Sequence, residues 1–187
     1  MASPNMHLAI AKKFLEHNTG IDKASFLSGT IYPDAIRDNK AITHYTIKTD
    51  TGKLRDHLVN KVNLYNFLQE HKTMNSFEMG WFLHLIGDYI FFTECFDDEY
   101  VDKVEYSDFC KNLYYSYDCT NKYLWDKYKL SMDDLKDYPK EFYPGFPEYK
   151  PCVLSLEKVD EFIDRVSSID LNKYIEKILK YKYNVKP

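Results

Sequence analysis

The chain has 187 residues and a formal net charge of −4 at pH 7. This length predicts one domain over residues 1–187, large enough to bury a substantial core. The slightly acidic balance, without a basic stripe, disfavours duplex nucleic acid as a partner, and no stretch is apolar for long enough to predict a transmembrane segment.

The first predicted helix covers Met6–His17. Its apolar stripe includes Ile10 and Phe14, and this stripe places His7 on the buried face. A single buried histidine is more often a hydrogen-bonded structural group than a ligand. The apolar stretch here is short and is interrupted by Lys12, which excludes a signal peptide in this sequence, so we expect a cytoplasmic protein unless a leader has been removed.

The next stretch, residues 24–44, is predicted to be irregular because Gly29 and Pro33 interrupt it. Asp34 directly follows Pro33, and we expect it near a turn or a helix start, where an N-cap role alone would explain it. His44 lies in the apolar sequence AITHY. After it, a helix is expected from about residue 50 to about residue 71, with its histidines His57 and His71 at the surface or rim.

The dominant feature of the sequence is the apolar stretch NSFEMGWFLHLIGDYIFFTECF, residues 75–96. Asn75 and Glu78 have the spacing of a capping box, and a helix that is apolar on every side is a buried helix. His84 and Asp88 stand four residues apart, so they share one helical face. A buried carboxylate needs a partner or a metal. Two interpretations remain open: a simple buried pair, or two ligands of a metal ion.

The remainder of the chain is also predicted to be helical. An acidic link at 97–102 precedes a helix at 106–128, in which Asp118 lies beside the inward stripe as either a hydrogen-bonded or a functional group. A proline-rich aromatic loop is expected at 138–151, and a closing helical hairpin at 155–166 and 171–183. Strand-like alternation is nearly absent, so the predicted fold class is all-α.

The cysteines do not suggest a metal site, because the four of them form no C-x-x-C pair and no zinc-finger spacing. They are typical of thiols in a reducing compartment, although a distant disulfide remains an alternative. Histidines and carboxylates are different: six such groups lie in apolar surroundings and form a nitrogen and oxygen ligand set that suits zinc. These are His7, Asp34, His44, His84, Asp88 and Asp118.

Common metal and hydrolase motifs do not account for this set. The sequence contains no H-E-x-x-H, no His-Asp dipeptide, no Glu-x-x-His, no G-x-S-x-G and no glycine-rich phosphate loop. It does contain, in order, His7 in MHLAIAKKF, Asp34 in GTIYPD, His44 in ITHY, and the pair His84 and Asp88 in MGWFLHLIGD.

This ordered set resembles the zinc-dependent phospholipase C family, which is related to the zinc single-strand nucleases. The resemblance implies an all-helical, single-domain bundle that holds one to three zinc ions in a cleft. It implies that Asp34, His44, His84 and Asp88 bind one zinc. It also implies that His7 binds another, with Asp88 as the bridge between the two.

The sequence departs from the family pattern at two places. Glu94 stands where the family usually has a histidine, and Tyr114 with Asp118 stands where it usually has H-x-x-x-E. Glu94 and Asp118 are therefore further candidate metal ligands. Family members with three zinc ions also use their mature N-terminal residue as a zinc ligand. Several residues precede His7 in this sequence, so the resemblance alone does not imply that contact.

The predicted function is a zinc-dependent hydrolase that cleaves a small-molecule or lipid phosphoester with a metal-activated water. Asp34 is the candidate catalytic residue that orients or deprotonates this water. The preference for a phosphodiester is implied by the resemblance alone. The alternative is a non-catalytic helical binding protein with a structural or vestigial zinc, and a third possibility is a helical domain without metal.

Overall fold

The computed structural model describes residues 2–48, 51–131 and 154–187, and within these ranges it contains helices and no strand. The predicted all-α fold is confirmed. The proline-rich stretch 138–151 lies outside the described residues. The α-helices are α1 Pro4–His17, α2 Lys23–Ala35, α3 Lys40–Thr43, α4 Leu54–Val59, α5 Leu64–Glu70, α6 Ser76–Glu94, α7 Asp98–Lys103, α8 Tyr106–Tyr128, α9 Leu156–Ser167 and α10 Leu171–Tyr181. A short 3-10 turn at Arg37–Asn39 lies between α2 and α3.

Helix α6 is the buried centre of the structure, as its apolar composition predicts. Its core residues from Phe82 to Phe92 are almost completely shielded from solvent. The predicted capping box is present: the Glu78 amide donates to the Asn75 side chain at 3.0 Å, and the Asn75 amide donates to the Glu78 carboxylate at 2.9 Å. A buried, capped helix is a rigid support for His84 and Asp88.

Helices α2 and α6 form the closest packing of the fold, and two glycines allow it. A Cβ atom on Gly29 would lie 1.9 Å from the carbonyl oxygen of Phe77, and one on Gly80 would lie 2.0 Å from that of Phe26. Only residues without a side chain permit this approach of two backbones. The contact holds residues 26–30 of α2 against the first turns of α6.

The prediction that residues 24–44 are irregular is wrong for α2, which continues through Pro33 and contains Asp34 in its last turn rather than at a helix start. The local preferences of proline and glycine disfavour a helix there. Burial against α6 outweighs them, because most helical stability in proteins comes from tertiary packing.

Two further boundaries differ from the prediction for a related reason. The helix expected at about 50–71 is two helices, because Asn63 accepts a hydrogen bond from the Asn66 amide at 2.9 Å and starts α5 anew. The link expected at 97–102 contains helix α7, which Asp97 caps by accepting from the amides of Glu99 and Tyr100. Side-chain caps of this kind set helix starts that apolar periodicity does not reveal.

The remaining helices surround this pair. Helix α1 packs against α2, α8 and α9, helix α9 also contacts α6, and α10 contacts α5. The predicted helices at the N-terminus, at 106–128 and in the closing hairpin are confirmed within one or two residues at most of their boundaries. Among the described helices, none combines the length and the apolar character needed to cross a bilayer. The described cysteines, Cys95, Cys110 and Cys119, are free thiols.

Candidate metal centre

Five of the predicted ligands converge in the interior. His7 comes from α1, Asp34 from the end of α2, His44 from the residue after α3, and His84 with Asp88 from α6. Each has an exposed fraction of 6% or less. Their imidazole and carboxylate atoms form two overlapping groups in which all ligand atoms lie within 4.8 Å of one another: His7, Asp34 and His84, and His44, His84 and Asp88.

The two imidazoles of His44 and His84 face each other through their Nε2 atoms, 3.1 Å apart. The Nδ1 atom of His84 lies 2.8 Å from the carbonyl oxygen of Thr30, and that of His44 lies 2.8 Å from the carbonyl oxygen of Lys40. A carbonyl oxygen only accepts, so each Nδ1 carries its proton. Without a proton on Nε2, each ring directs a lone pair at the same point, which is the orientation that hydrogen-bonded metal-ligating histidines adopt.

One oxygen of Asp88 faces the position between the Nε2 atoms of His44 and His84, and its other oxygen faces a second position beside His7. Its Oδ2 lies 3.5 Å from His44 Nε2 and 3.6 Å from His84 Nε2, and it has no hydrogen-bond partner among the described residues. Its Oδ1 accepts a hydrogen bond from the Ala2 amide at 2.7 Å and lies 3.2 Å from His7 Nε2. The two oxygens of one carboxylate therefore serve two neighbouring positions.

These separations fit zinc. Nitrogen and oxygen ligands stand ~2.0–2.1 Å from a tetrahedral zinc ion and hence ~3.3 Å from one another. The three distances among His44, His84 and Asp88 range from 3.1 to 3.6 Å. Because the Thr30 carbonyl occupies His84 Nδ1, both ligand groups share the same coordinating atom, His84 Nε2. An ion bound to His84 Nε2 is therefore coordinated by one of the two ligand groups at a time.

Asp34 lies at the edge of this arrangement. Its Oδ1 is 3.9 Å from His44 Nε2 and accepts a hydrogen bond from the Lys40 ammonium at 2.9 Å. Burial opposes ionisation of Asp34, but His84 and Lys40 lower the pKa of its carboxyl below the ordinary value. Asp34 is therefore an ionised acceptor beside the two imidazoles.

The protonation states of the other groups also favour a cation. Burial and the neighbouring His84 lower the pKa of His44 to about 4, and the same two causes lower the pKa of His7. Burial opposes the charge of Asp88, but the imidazoles of His7 and His84 contribute to holding its pKa well below the ordinary value. Two buried carboxylates beside the imidazoles of His7 and His44, which their lowered pKa values keep neutral, form a site that attracts a divalent cation.

A cavity of about 320 Å³ adjoins the cluster. Asp34 and Lys40 line one part of the cavity. Aromatic side chains of α8, together with Asp118, line another part. Lys61 and Phe92 also contribute to its wall. The cluster therefore has an adjacent space in which a small molecule can be held.

The structure does not bring Glu94 or Asp118 into either ligand group. The Glu94 carboxylate pairs with the Arg165 guanidinium at 2.7 and 3.1 Å. Since α6 is continuous, a residue six positions after Asp88 points about 120° away from it around the helix. Asp118 is exposed at the cavity wall, and Tyr114 is 65% exposed.

The two histidines that were assigned to the surface or rim are also outside the cluster. His57 is exposed, and its ring makes an edge contact with Tyr106. His71 is half-buried rather than exposed, and its Nδ1 lies 2.8 Å from the Glu78 carboxylate. The sequence-based interpretation missed this partner, and it also missed Lys40 and Lys61 at the cavity, which no spacing signal marks.

The comparisons with known proteins agree with the resemblance that the ordered motifs suggested. No curated protein and no solved structure matches the chain significantly. Residues 6–91, just under half of the chain, match the model of the family described as zinc dependent phospholipase C. This segment contains the five converging ligands and ends before Glu94 and Asp118. Over this segment, the chain is similar to the zinc-dependent phospholipase C family.

Proposed function

We propose that this protein is a zinc-dependent hydrolase of phosphoesters, phospholipase C-like in its chemistry. One observation carries the proposal: the facing Nε2 atoms of His44 and His84 and the unpartnered Oδ2 of Asp88 converge beside a cavity. A zinc ion held there would polarise a phosphoryl oxygen and lower the pKa of a bound water to about 7.

We assign the ligands of this zinc to His44, His84 and Asp88. Three protein ligands leave a fourth position for water or substrate, which distinguishes a catalytic from a structural zinc site. The carbonyl groups of Thr30 and Lys40 fix the two imidazoles in the orientation that binding requires.

Asp34 is our candidate for the residue that orients the attacking water or takes its proton. Its lowered pKa keeps it ionised at neutral pH, and the ion pair with Lys40 fixes its position next to His44. A fixed, ionised carboxylate at this place can accept a hydrogen bond from the attacking water and orient it, although its lowered pKa makes it a weak base.

A second ion would take His7 and the Oδ1 atom of Asp88. The 3.2 Å contact between His7 Nε2 and Asp88 Oδ1 supports a bridging role for Asp88. The ring of His7 stacks on that of His84 with centroids 3.7 Å apart, and Gly87 leaves it room, since a Cβ there would lie 3.3 Å from His7 Nδ1.

The second candidate function is a non-catalytic protein with a structural zinc, in which Asp34 fills the fourth position and closes the ligand sphere. The 3.9 Å separation of Asp34 Oδ1 from His44 Nε2 keeps this alternative open, whereas the Lys40 ion pair and the adjoining cavity favour the hydrolase.

The variant Asp34→Asn separates the two functions. In the hydrolase, the variant retains most of its zinc, measured by elemental analysis, and loses turnover of bis-nitrophenyl phosphate by about 100-fold or more, the size of a general-base contribution. In the structural-zinc alternative, the wild type itself shows no turnover after zinc loading, and Asp34→Asn loses zinc. The exposed His57→Ala variant is the control and should match the wild type in both measurements.

A further inference from the structure

Lys61 is a cation at the cavity wall that is neither a proposed zinc ligand nor a partner of Asp34. It lies between α4 and α5 and lines the same cavity as Asp34 and Lys40. The ammonium group of Lys40 is paired with Asp34, whereas that of Lys61 makes no hydrogen bond or ion pair with any residue in the described ranges. A half-buried ammonium group without a carboxylate partner in the described ranges can bind an anion that enters the cavity.

Aromatic rings hold this ammonium group close to the metal centre. The Nζ atom of Lys61 lies 5.5 Å from the centroid of the Phe92 ring and 5.8 Å from that of Tyr106. Phe92 follows Asp88 by four residues on α6, so it lies one helical turn further along the same face. Lys61 is therefore adjacent to the cluster, on the side of the cavity.

The electrostatic surroundings agree with this position. Burial lowers the pKa of Lys61, and the negative charge of Asp88 acts in the opposite direction. The field of the metal-site carboxylate thus reaches the ammonium group. A cation in such a partly dehydrated place binds an anion more strongly than a fully solvated one does.

Apart from Asp34, the described residues that line the cavity include one carboxylate, Asp118, and no histidine. Glu94 is occupied by Arg165, and Asp118 is exposed on α8 without a histidine beside it. A phosphate group bound to a zinc ion at His44, His84 and Asp88 would bring negative charge into this cavity. Lys61 is the described group placed to meet that charge.

We propose that Lys61 binds a phosphate oxygen of the substrate and supplies a second positive charge next to the zinc. The assignment of an organic phosphate as the ligand rests on the proposed function. An ammonium group is a compact cation with three donors, and charge-assisted hydrogen bonds to phosphate are among the stronger polar contacts. Lys61 is thus a substrate-positioning residue that stands where additional metal ligands are lacking.

The test is the affinity of the zinc-loaded protein for inorganic phosphate, measured by isothermal titration calorimetry. Lys61→Met keeps an unbranched side chain that is one atom shorter and can still contact Phe92, but it removes the charge. We expect its phosphate affinity to fall about tenfold, the effect of one charge-assisted hydrogen bond, while the zinc content is unchanged. Lys61→Arg should retain most of the affinity, and Lys61→Gln replaces the methionine variant if that protein does not fold.

The matched control is Lys122→Met, because Lys122 is exposed on α8 and, within the described ranges, pairs with Asp126 of its own helix. Equal phosphate affinity in the wild type and Lys61→Met, or no measurable phosphate binding by the wild type, would overturn the inference. The two proposals fail separately. Phosphate binding that depends on Lys61 in a protein without turnover removes the hydrolase but keeps this inference. Turnover by the wild type, with the same KM and kcat in Lys61→Met, keeps the hydrolase but removes this inference.

Discussion

His44 and His84 face each other with their Nε2 atoms 3.1 Å apart, and both Nδ1 atoms are committed to backbone carbonyl groups. Two neutral imidazoles in this arrangement repel each other through their lone pairs, so the contact needs a proton or a metal ion between the rings. Asp88 adds an unpartnered oxygen at 3.5 and 3.6 Å from the same two atoms. The interior is therefore arranged around a positive charge.

The first prediction concerns Asp88→Asn, which keeps the shape of the side chain and removes its charge. If Asp88 is a ligand, zinc affinity falls by more than the roughly 10–100-fold cost of losing a group that only supports a ligand. Hydrolysis should collapse, while the helical circular dichroism persists. The control is Glu94→Gln, which disrupts the pair with Arg165 away from the cluster and should leave zinc content unchanged. Full zinc occupancy and normal turnover in Asp88→Asn would exclude the proposed role.

The second prediction concerns the close packing of α2 and α6. Gly80→Ala places a methyl group 2.0 Å from the Phe26 carbonyl oxygen, so the helices must separate. We expect a loss of about 1–3 kcal/mol in the free energy of unfolding. Zinc affinity should also fall, because Thr30 and Asp34 on α2 move away from His84.

A glycine elsewhere provides the control for this prediction. Gly20 has a φ of +80°, so an alanine there is strained, but no heavy atom would lie within 4 Å of its Cβ. Gly20→Ala should lower stability by about 1 kcal/mol and leave zinc affinity unchanged. Equal zinc affinities in the Gly80→Ala and wild-type proteins would show that the helix contact does not position the site.

The third prediction is the pH dependence of zinc binding. Burial opposes a charge on His84, but Asp88 and Asp34 outweigh burial and raise the pKa of His84 above its ordinary value of 6.5. The metal-free protein thus holds a proton on His84 that zinc must displace, whereas His44 and His7, with lowered pKa values, are already neutral. Zinc affinity should rise by about one log unit per pH unit up to the raised pKa of His84 and then level off.

The same shift has an opposite consequence for the metal-free protein. A raised pKa in the folded state contributes stability below the unfolded value of 6.5, and this contribution is lost as the pH rises through the raised pKa of His84. Competition with a chelator measures the zinc affinity, and urea unfolding of the metal-free protein measures the stability. A zinc affinity that does not change with pH would contradict the assigned protonation of His84.

The fourth prediction concerns local stability. Amides of α6 around residues 83–90 should exchange with solvent more slowly than those of the short helices α4 and α7, because α6 is buried on all sides. Hydrogen exchange followed by mass spectrometry makes this comparison. Exchange in α6 as fast as in α7 would mean that α6 is not the centre of the fold.

Local patterns made much of the fold predictable. The apolar stretch and the Asn75–Glu78 capping box predicted α6, and the four-residue spacing predicted that His84 and Asp88 share a face. Periodicity did not reveal α2, since Pro33 and Gly29 disfavour a helix locally and only contact with α6 stabilises it. A sequence records such long-range packing poorly.

The candidate site divides in the same way. Spacing and order selected the five converging ligands, although only His7, His84 and Asp88 lie on helices that the sequence predicted. Lys40 and Lys61 were missed because their roles depend on contacts that no local spacing encodes. Glu94 was selected from a resemblance in position, but its partner Arg165 stands 71 residues away in the chain. Pairings between distant residues of opposite charge follow from the fold and are not visible before it.

An anomalous-scattering map at the zinc edge, from crystals of the zinc-loaded protein, tests most directly whether His44, His84 and Asp88 bind zinc. We predict a peak ~2.0–2.1 Å from His44 Nε2, His84 Nε2 and Asp88 Oδ2. A zinc-loaded protein whose map has no peak at these three atoms, or has its main peak at Glu94 or Asp118 instead, would contradict this prediction.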